Sequence, residues 1–149
     1  MLRQSLLFLH LASVIVWVGG MAFAYFCLRP AAARLLQPPQ RLPLWVATFD
    51  PFFRLVAIAV SVIVVTGFAM LLQVGFAAAP IGWHVMMVLG LVMAGVFVYI
   101  RRVLHARLRS HCEAGEWTEG AQALNAIRQL VALNLVLAAL TVAAAVSGR

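Results

Sequence analysis

Four uncharged apolar blocks divide the chain, at residues 5–28, 55–74, 81–100 and 130–147. Each approaches or exceeds the ~20 residues that a helix needs to cross a hydrocarbon core of roughly 30 Å. A short neutral turn containing Pro80 separates the second and third blocks, which predicts a helical hairpin. The fourth block continues a helix expected to begin near Thr118, an N-cap residue ahead of Glu119. The first block also has the outline of a secretory signal, with Arg3 ahead of it and Ala22-Phe23-Ala24 in the form of a cleavage site. Signal cores run to about 7–15 residues. This block is longer and is interrupted by His10, so a retained span is expected. The expected fold is therefore all-α: an integral membrane four-helix up-down bundle, with residues 1–149 as a single transmembrane domain.

Composition supports this reading. The chain is 65% hydrophobic and 10% charged with a mean hydropathy of +1.03, whereas soluble domains are roughly a quarter charged. The net charge of +7 does not point to nucleic acid, because every cation is an Arg, nine of the eleven are set between apolar blocks, and no soluble face carries them as a stripe. Four Arg lie in the link of residues 29–54, together with five Pro, and five more lie in residues 101–128. The positive-inside rule makes that side cytoplasmic and predicts a bacterial-type inner membrane protein with both termini outside. Cys27 and Cys112 fall on the reducing side, so no disulfide is expected. The sequence contains no phosphate-binding Gly loop, nucleophile elbow or intramembrane carboxylate pair, and hydrolase chemistry has no support.

Polar side chains inside a span are expensive and point to function. His10 lies about four residues into the first span and His84 about three into the third, a depth of roughly 5–6 Å at 1.5 Å per residue. Both helices start outside, so the two imidazoles are expected at one level. His10, Val14, Trp17, Met21, Ala24 and Leu28 recur at spacings of four and three, as do His84, Met87, Val88, Leu91 and Gly95 on the third helix. In an up-down ring these helices are diagonal, and the two seams are expected to face each other. Met70 on the second helix reaches the same level. The layer His10, His84, Met70 and Met87 combines imidazole with thioether sulfur, which suits Cu(I). The bland alternative has the histidines bonding backbone carbonyls or sitting at the interface beside Trp83, with Met70 and Met87 as packing. Asn134 and Thr141 are expected to hydrogen-bond between helices, Arg128 to snorkel, and the pairs Gly19/Gly20 and Gly90/Gly95 to permit close helix approach. His105, His111, Cys112 and Glu113 form a second, inner group of metal-ligating types in a solvated link.

Three stretches carry a family resemblance. HLASVIVWVGGMAFAYFCLRP from His10 resembles the first helix of CopD-like membrane proteins, and FFRLVAIAVSVIVVTGFAML from Phe52 resembles the copper resistance D domain through its Thr66-Gly67 pair. GWHVMMVLGLVM on the third helix is similar both to that domain and to the related HemJ-type proteins. The resemblance implies a copper-handling membrane protein, in uptake or resistance, receiving copper from a periplasmic carrier. For HemJ-type proteins it implies instead a heme b-binding membrane oxidoreductase, with His10 and His84 as axial ligands. The HemJ pattern carries a Lys after the third-helix His, and this chain has no Lys. The copper reading is non-enzymatic; the heme reading is the one that makes the chain an enzyme. A scaffold subunit of a membrane complex is the third reading, and self-association within the bilayer is open to all three.

Overall fold

The computed structural model describes residues 1–147 and is helical almost throughout. Four helices are long and apolar enough to cross a membrane: α1 (Leu2–Leu35), α2 (Pro38–Val74), α3 (Ile81–Ala114) and α4 (Trp117–Ser147). All four extend beyond the apolar blocks on the Arg-rich side, so the bundle continues past the hydrocarbon as a helical end.

The proline-rich link of residues 29–54 is helical except at Leu36 and Gln37. The prolines sit where a helix tolerates them or adapts to them. Pro38 and Pro39 occupy the first turn of α2, whose N–H groups have no intrahelical partner in any case. Pro30 crowds the carbonyl four residues earlier, and a widened π-turn at Ala24–Leu28 spans that point. Pro43 and Pro51 lie inside α2, in the part beyond its apolar block. A second π-turn, Ile100–Leu104, marks where α3 leaves its apolar block. Gly75 and Gly115 end α2 and α3 with φ of 88° and 73°, a backbone region that side-chain-bearing residues avoid.

α1 packs mainly on α2, and α3 on α4. α2 also meets α3 and α4, while α1 and α3 take the diagonal expected of an up-down ring. Their main link is Trp17 against Phe97, edge to face with ring centroids 6.2 Å apart. The best-buried side chains gather on the Arg-rich half: Leu42, Val56, Leu108 and Ile127 are fully enclosed, with Trp45, Phe49, Phe53 and Leu104 around them. The other half keeps its large apolar side chains facing outward, Ile15, Ile58, Val65 and Leu72 among them, as lipid contact requires.

Asp50 ties α2 to α3 at the closed end. It forms an ion pair with Arg109 and lies 3.4 Å from His105 Nε2. His105 is buried edge-on against Phe53 and Phe49, at centroid distances of 5.2 and 6.1 Å. It lies beyond the apolar run that ends at Ile100; burial pushes its pKa down, and the Asp50 carboxylate opposes that shift.

Of the four glycines expected at helix contacts, only Gly20 is at one. A side chain there would begin 2.3 Å from the Phe52 ring, whereas Gly19, Gly90 and Gly95 face open space. Of these four, close approach occurs at the α1–α2 contact; Gly120 of α4, against Leu42 of α2, is a further tight point. Ile127→Ala is expected to lower thermal stability in detergent by about 2–4 kcal/mol, the cost of an unfilled core position. Val136→Ala on the lipid face, measured in the same unfolding assay, is expected to leave the transition almost unmoved.

Candidate metal centre

The half of the bundle opposite the Arg-rich end encloses a cavity of about 320 Å³ lined by all four helices. α1 contributes His10, Val14 and Trp17, in agreement with the seam read from the sequence. α2 contributes Met70 and Gly67; α3 contributes Trp83, Met86, Met87, Gly90 and Met93; α4 contributes Thr141 and Ala138. The walls are predominantly apolar, the usual character of a ligand cavity with a few convergent polar groups.

His10 is fixed in orientation. Its Nδ1 lies 2.9 Å from the Thr66 hydroxyl. That hydroxyl has a single proton, and its closest acceptor is the Val62 carbonyl one helical turn back at 2.6 Å, with the Ile63 carbonyl at 3.2 Å. With the proton directed to its own helix, Thr66 accepts from Nδ1–H. The neutral imidazole then carries its lone pair on Nε2. This is the arrangement of a metal-ligating histidine, whose other ring nitrogen donates to an outer partner. The ring rests against Gly67, where a side chain would begin 3.4 Å from Cε1.

Three members of the expected layer, His10, Met70 and Met87, share this cavity, and His84 does not line it. His84 Nδ1 is 3.3 Å from the Pro80 carbonyl, and its ring lies edge-on to Phe76 at 5.5 Å. The depth of His84 follows from its position in the helix, but its direction differs from the expected seam. Trp83, one residue earlier and about 100° around the helix, takes the inward place. The cavity face of α3 runs Trp83, Met86, Met87, Gly90, Leu91 and Met93, so Met87 and Leu91 of the expected seam line it and Met86 and Met93 join the thioethers. The seven-residue spacing of Met86 and Met93 was the available signal for that face. In the sequence Thr66 stands out only as part of a Thr-Gly pair, and its role depends on the contact with α1.

Asn134 bonds between helices as expected, whereas the Thr141 hydroxyl turns to its own helix and only approaches α3. Asn134 Nδ2 donates to the Met93 carbonyl at 3.3 Å, and Thr141 Oγ1 donates to Leu137 O at 2.8 Å while lying 4.0 Å from Met93 Sδ. The inner His/Cys/Glu group is dispersed: His111 pairs with Glu116 at 2.6 Å, and His105 faces Asp50. Burial, with Glu113 nearby, pushes the Cys112 thiol pKa up, against the thiolate that a metal needs. Among the described residues no three His, Cys, Asp or Glu side chains come together as a metal cluster.

A protein-family model described as copper resistance protein D matches residues 46–147. The chain belongs to the copper resistance protein D family. The matched stretch runs from within α2 to the end of α4 and so contains Met70, Met86, Met87 and Met93, while His10 on α1 lies ahead of it. No curated protein and no solved structure matches the chain. As a member of this family with four membrane-capable helices, it is a multi-pass membrane protein related to copper resistance or uptake.

The tautomer of His10 can be checked directly. In ¹⁵N-histidine NMR of the detergent-solubilised protein, His10 is expected to show a protonated Nδ1 and an unprotonated Nε2. Thr66→Val is expected to abolish that preference and leave the other histidines unchanged.

Proposed function

We propose that this protein captures Cu(I) in the cavity, with His10 Nε2 and the thioethers of Met70 and Met87 as the donor set and Met86 and Met93 as further sulfurs along the same wall. Soft thioethers favour Cu(I), and a neutral imidazole is compatible with it. The observation that carries the reading is the gathering of donors. Four of the six methionines line one cavity together with a histidine whose free nitrogen has been selected by Thr66. General core filling calls for no such concentration. Membership of a copper resistance family agrees with it.

The cavity lies at the end away from nine of the eleven arginines, which on the positive-inside rule is the outer face. Copper would therefore enter from outside, with a periplasmic carrier as its donor. Below the cavity, Trp17, Phe97 and Phe53 close the bundle with edge-to-face contacts. This supports capture and hand-over as the resting activity; passage to the inner side requires these rings to move. His84, engaged with Pro80 and Phe76, is left out of the donor set, and the bis-histidine heme arrangement loses its second ligand.

Anaerobic titration of the purified protein with Cu(I) against a chromophoric chelator tests the proposal. One Cu(I) per chain is expected. His10→Ala and Thr66→Val should each weaken binding by about 10–100-fold, the usual effect of losing a ligand or its orienting partner. Met70→Leu and Met87→Leu should weaken it as well, and His84→Ala should leave it unchanged. A Soret band in the purified protein that disappears in His10→Ala would sink the copper assignment, as would Cu(I) binding indifferent to His10.

A further inference from the structure

A second cavity, of about 240 Å³, lies at the opposite, Arg-rich end of the bundle between α1, α2 and α4. Three guanidinium-bearing residues line it: Arg29 from α1, Arg41 from α2 and Arg128 from α4. All three are half-buried, unlike Arg54, Arg101, Arg102, Arg107 and Arg109, which are exposed. Arg29 lies over the Tyr25 ring with its guanidinium carbon 5.4 Å from the centroid, which orients it. Apart from Tyr25 and Asn125, the remaining wall is apolar, with the buried Leu42, Trp45, Phe49 and Ile127.

Among the described residues no carboxylate lines this cavity. The chain has four acidic residues. Asp50 is committed to Arg109 and His105, and Glu116 to His111. Three half-buried positive charges around one space, with no counter-charge in its walls, are costly unless an anion from elsewhere fills it. Guanidinium groups match phosphate oxygens in geometry as well as in charge. The level of the site narrows the source. Arg29 directly follows the apolar block ending at residue 28, and Arg128 stands two residues before the block beginning at 130. Both therefore lie at the boundary between hydrocarbon and water, where lipid phosphates lie.

We propose that the Arg29/Arg41/Arg128 cavity is a binding site for the phosphate of an acidic phospholipid, with the aromatic and aliphatic wall taking the first carbons of its tails. This site is separate from the copper cavity and does not depend on that assignment. It lies on the inner, cytoplasmic side under the same Arg asymmetry, the leaflet in which anionic lipid attracts basic segments. A bound lipid would join α1, α2 and α4 by ion pairing at the end where the core is densest. Arg128, which its sequence position alone marks as a snorkelling residue, is on this reading a headgroup ligand.

The test is lipid retention by the full-length protein in a neutral detergent, read by native mass spectrometry. The probes are phosphatidylglycerol, phosphatidylcholine and inorganic phosphate. Wild type is expected to retain phosphatidylglycerol in preference to phosphatidylcholine. Arg29→Gln, Arg41→Gln and Arg128→Gln should each weaken retention by about fivefold, the contribution expected of one cation near an anionic surface. Arg34→Gln and Arg107→Gln, on the same side but outside the cavity, should have no effect. The Lys versions of the three keep the charge and should retain part of the preference, which separates charge from any folding defect. Equal retention of the two lipids by wild type would overturn the proposal. So would equal losses in the Arg34 and Arg107 variants, since the charge would then act diffusely. Inorganic phosphate that competes as effectively as phosphatidylglycerol would identify a water-soluble anion and remove the lipid.

Discussion

A peptide group in hydrocarbon has no water to bond, so each backbone N–H and C=O must be satisfied within the chain. That constraint makes every span of this protein a helix, and it extends to the few polar side chains in the spans. Ser61, Thr66 and Thr141 each donate to the carbonyl four residues earlier, Asn134 donates to the backbone of α3, and His84 turns back to Pro80. Much of the intramembrane polarity is thereby absorbed, although Asn134 Oδ1 stays buried without a partner. His10 differs: its Nδ1 meets a hydroxyl that is already committed to its own helix. The same requirement that neutralises the other polar groups selects the tautomer of this one.

The two ends of the bundle differ in packing. At the Arg-rich end the helices outlast the hydrocarbon, and α2 and α3 are tied through Asp50, Arg109 and His105. Buried aromatics run along α2 from Trp45 through Phe49 to Phe53, the last pair stacked with centroids 4.9 Å apart. At the other end no comparable aromatic ladder fills the middle, and the methionine-lined cavity remains between the helices. Lipid tails are as apolar as Leu, so association within the bilayer depends on close packing. A densely packed closed end lets the open end keep its space.

Some of this organisation could be read residue by residue. The apolar blocks and the Arg asymmetry do not depend on how the helices turn against each other, and they led to an all-α, membrane-capable chain. Along α1 the three-four spacing from His10 through Trp17 placed the correct face inward. The helical course of residues 29–54 was not legible from its five prolines, of which Pro38 and Pro39 stand in a first turn, Pro30 beside a widened turn, and Pro43 and Pro51 inside α2. Gly19, Gly90 and Gly95 misled because a small residue permits close approach but does not require it.

Depth along a helix is a matter of counting, at about 1.5 Å per residue. The sequence alone therefore determined that these helices exist, where the histidines and methionines fall along them, and which end carries the arginines. Direction around a helix is different, since one residue turns a side chain by about 100° and apolar residues on every side of α3 leave that angle undetermined. Only the packing of α3 against α4 and α2 turned Trp83 inward in place of His84. Only the contact of α1 with α2 brought Thr66 to His10, and only the junction of α1, α2 and α4 gathered Arg29, Arg41 and Arg128 around one cavity. Each of these is a meeting of residues far apart in the chain, set by how the helices close on one another.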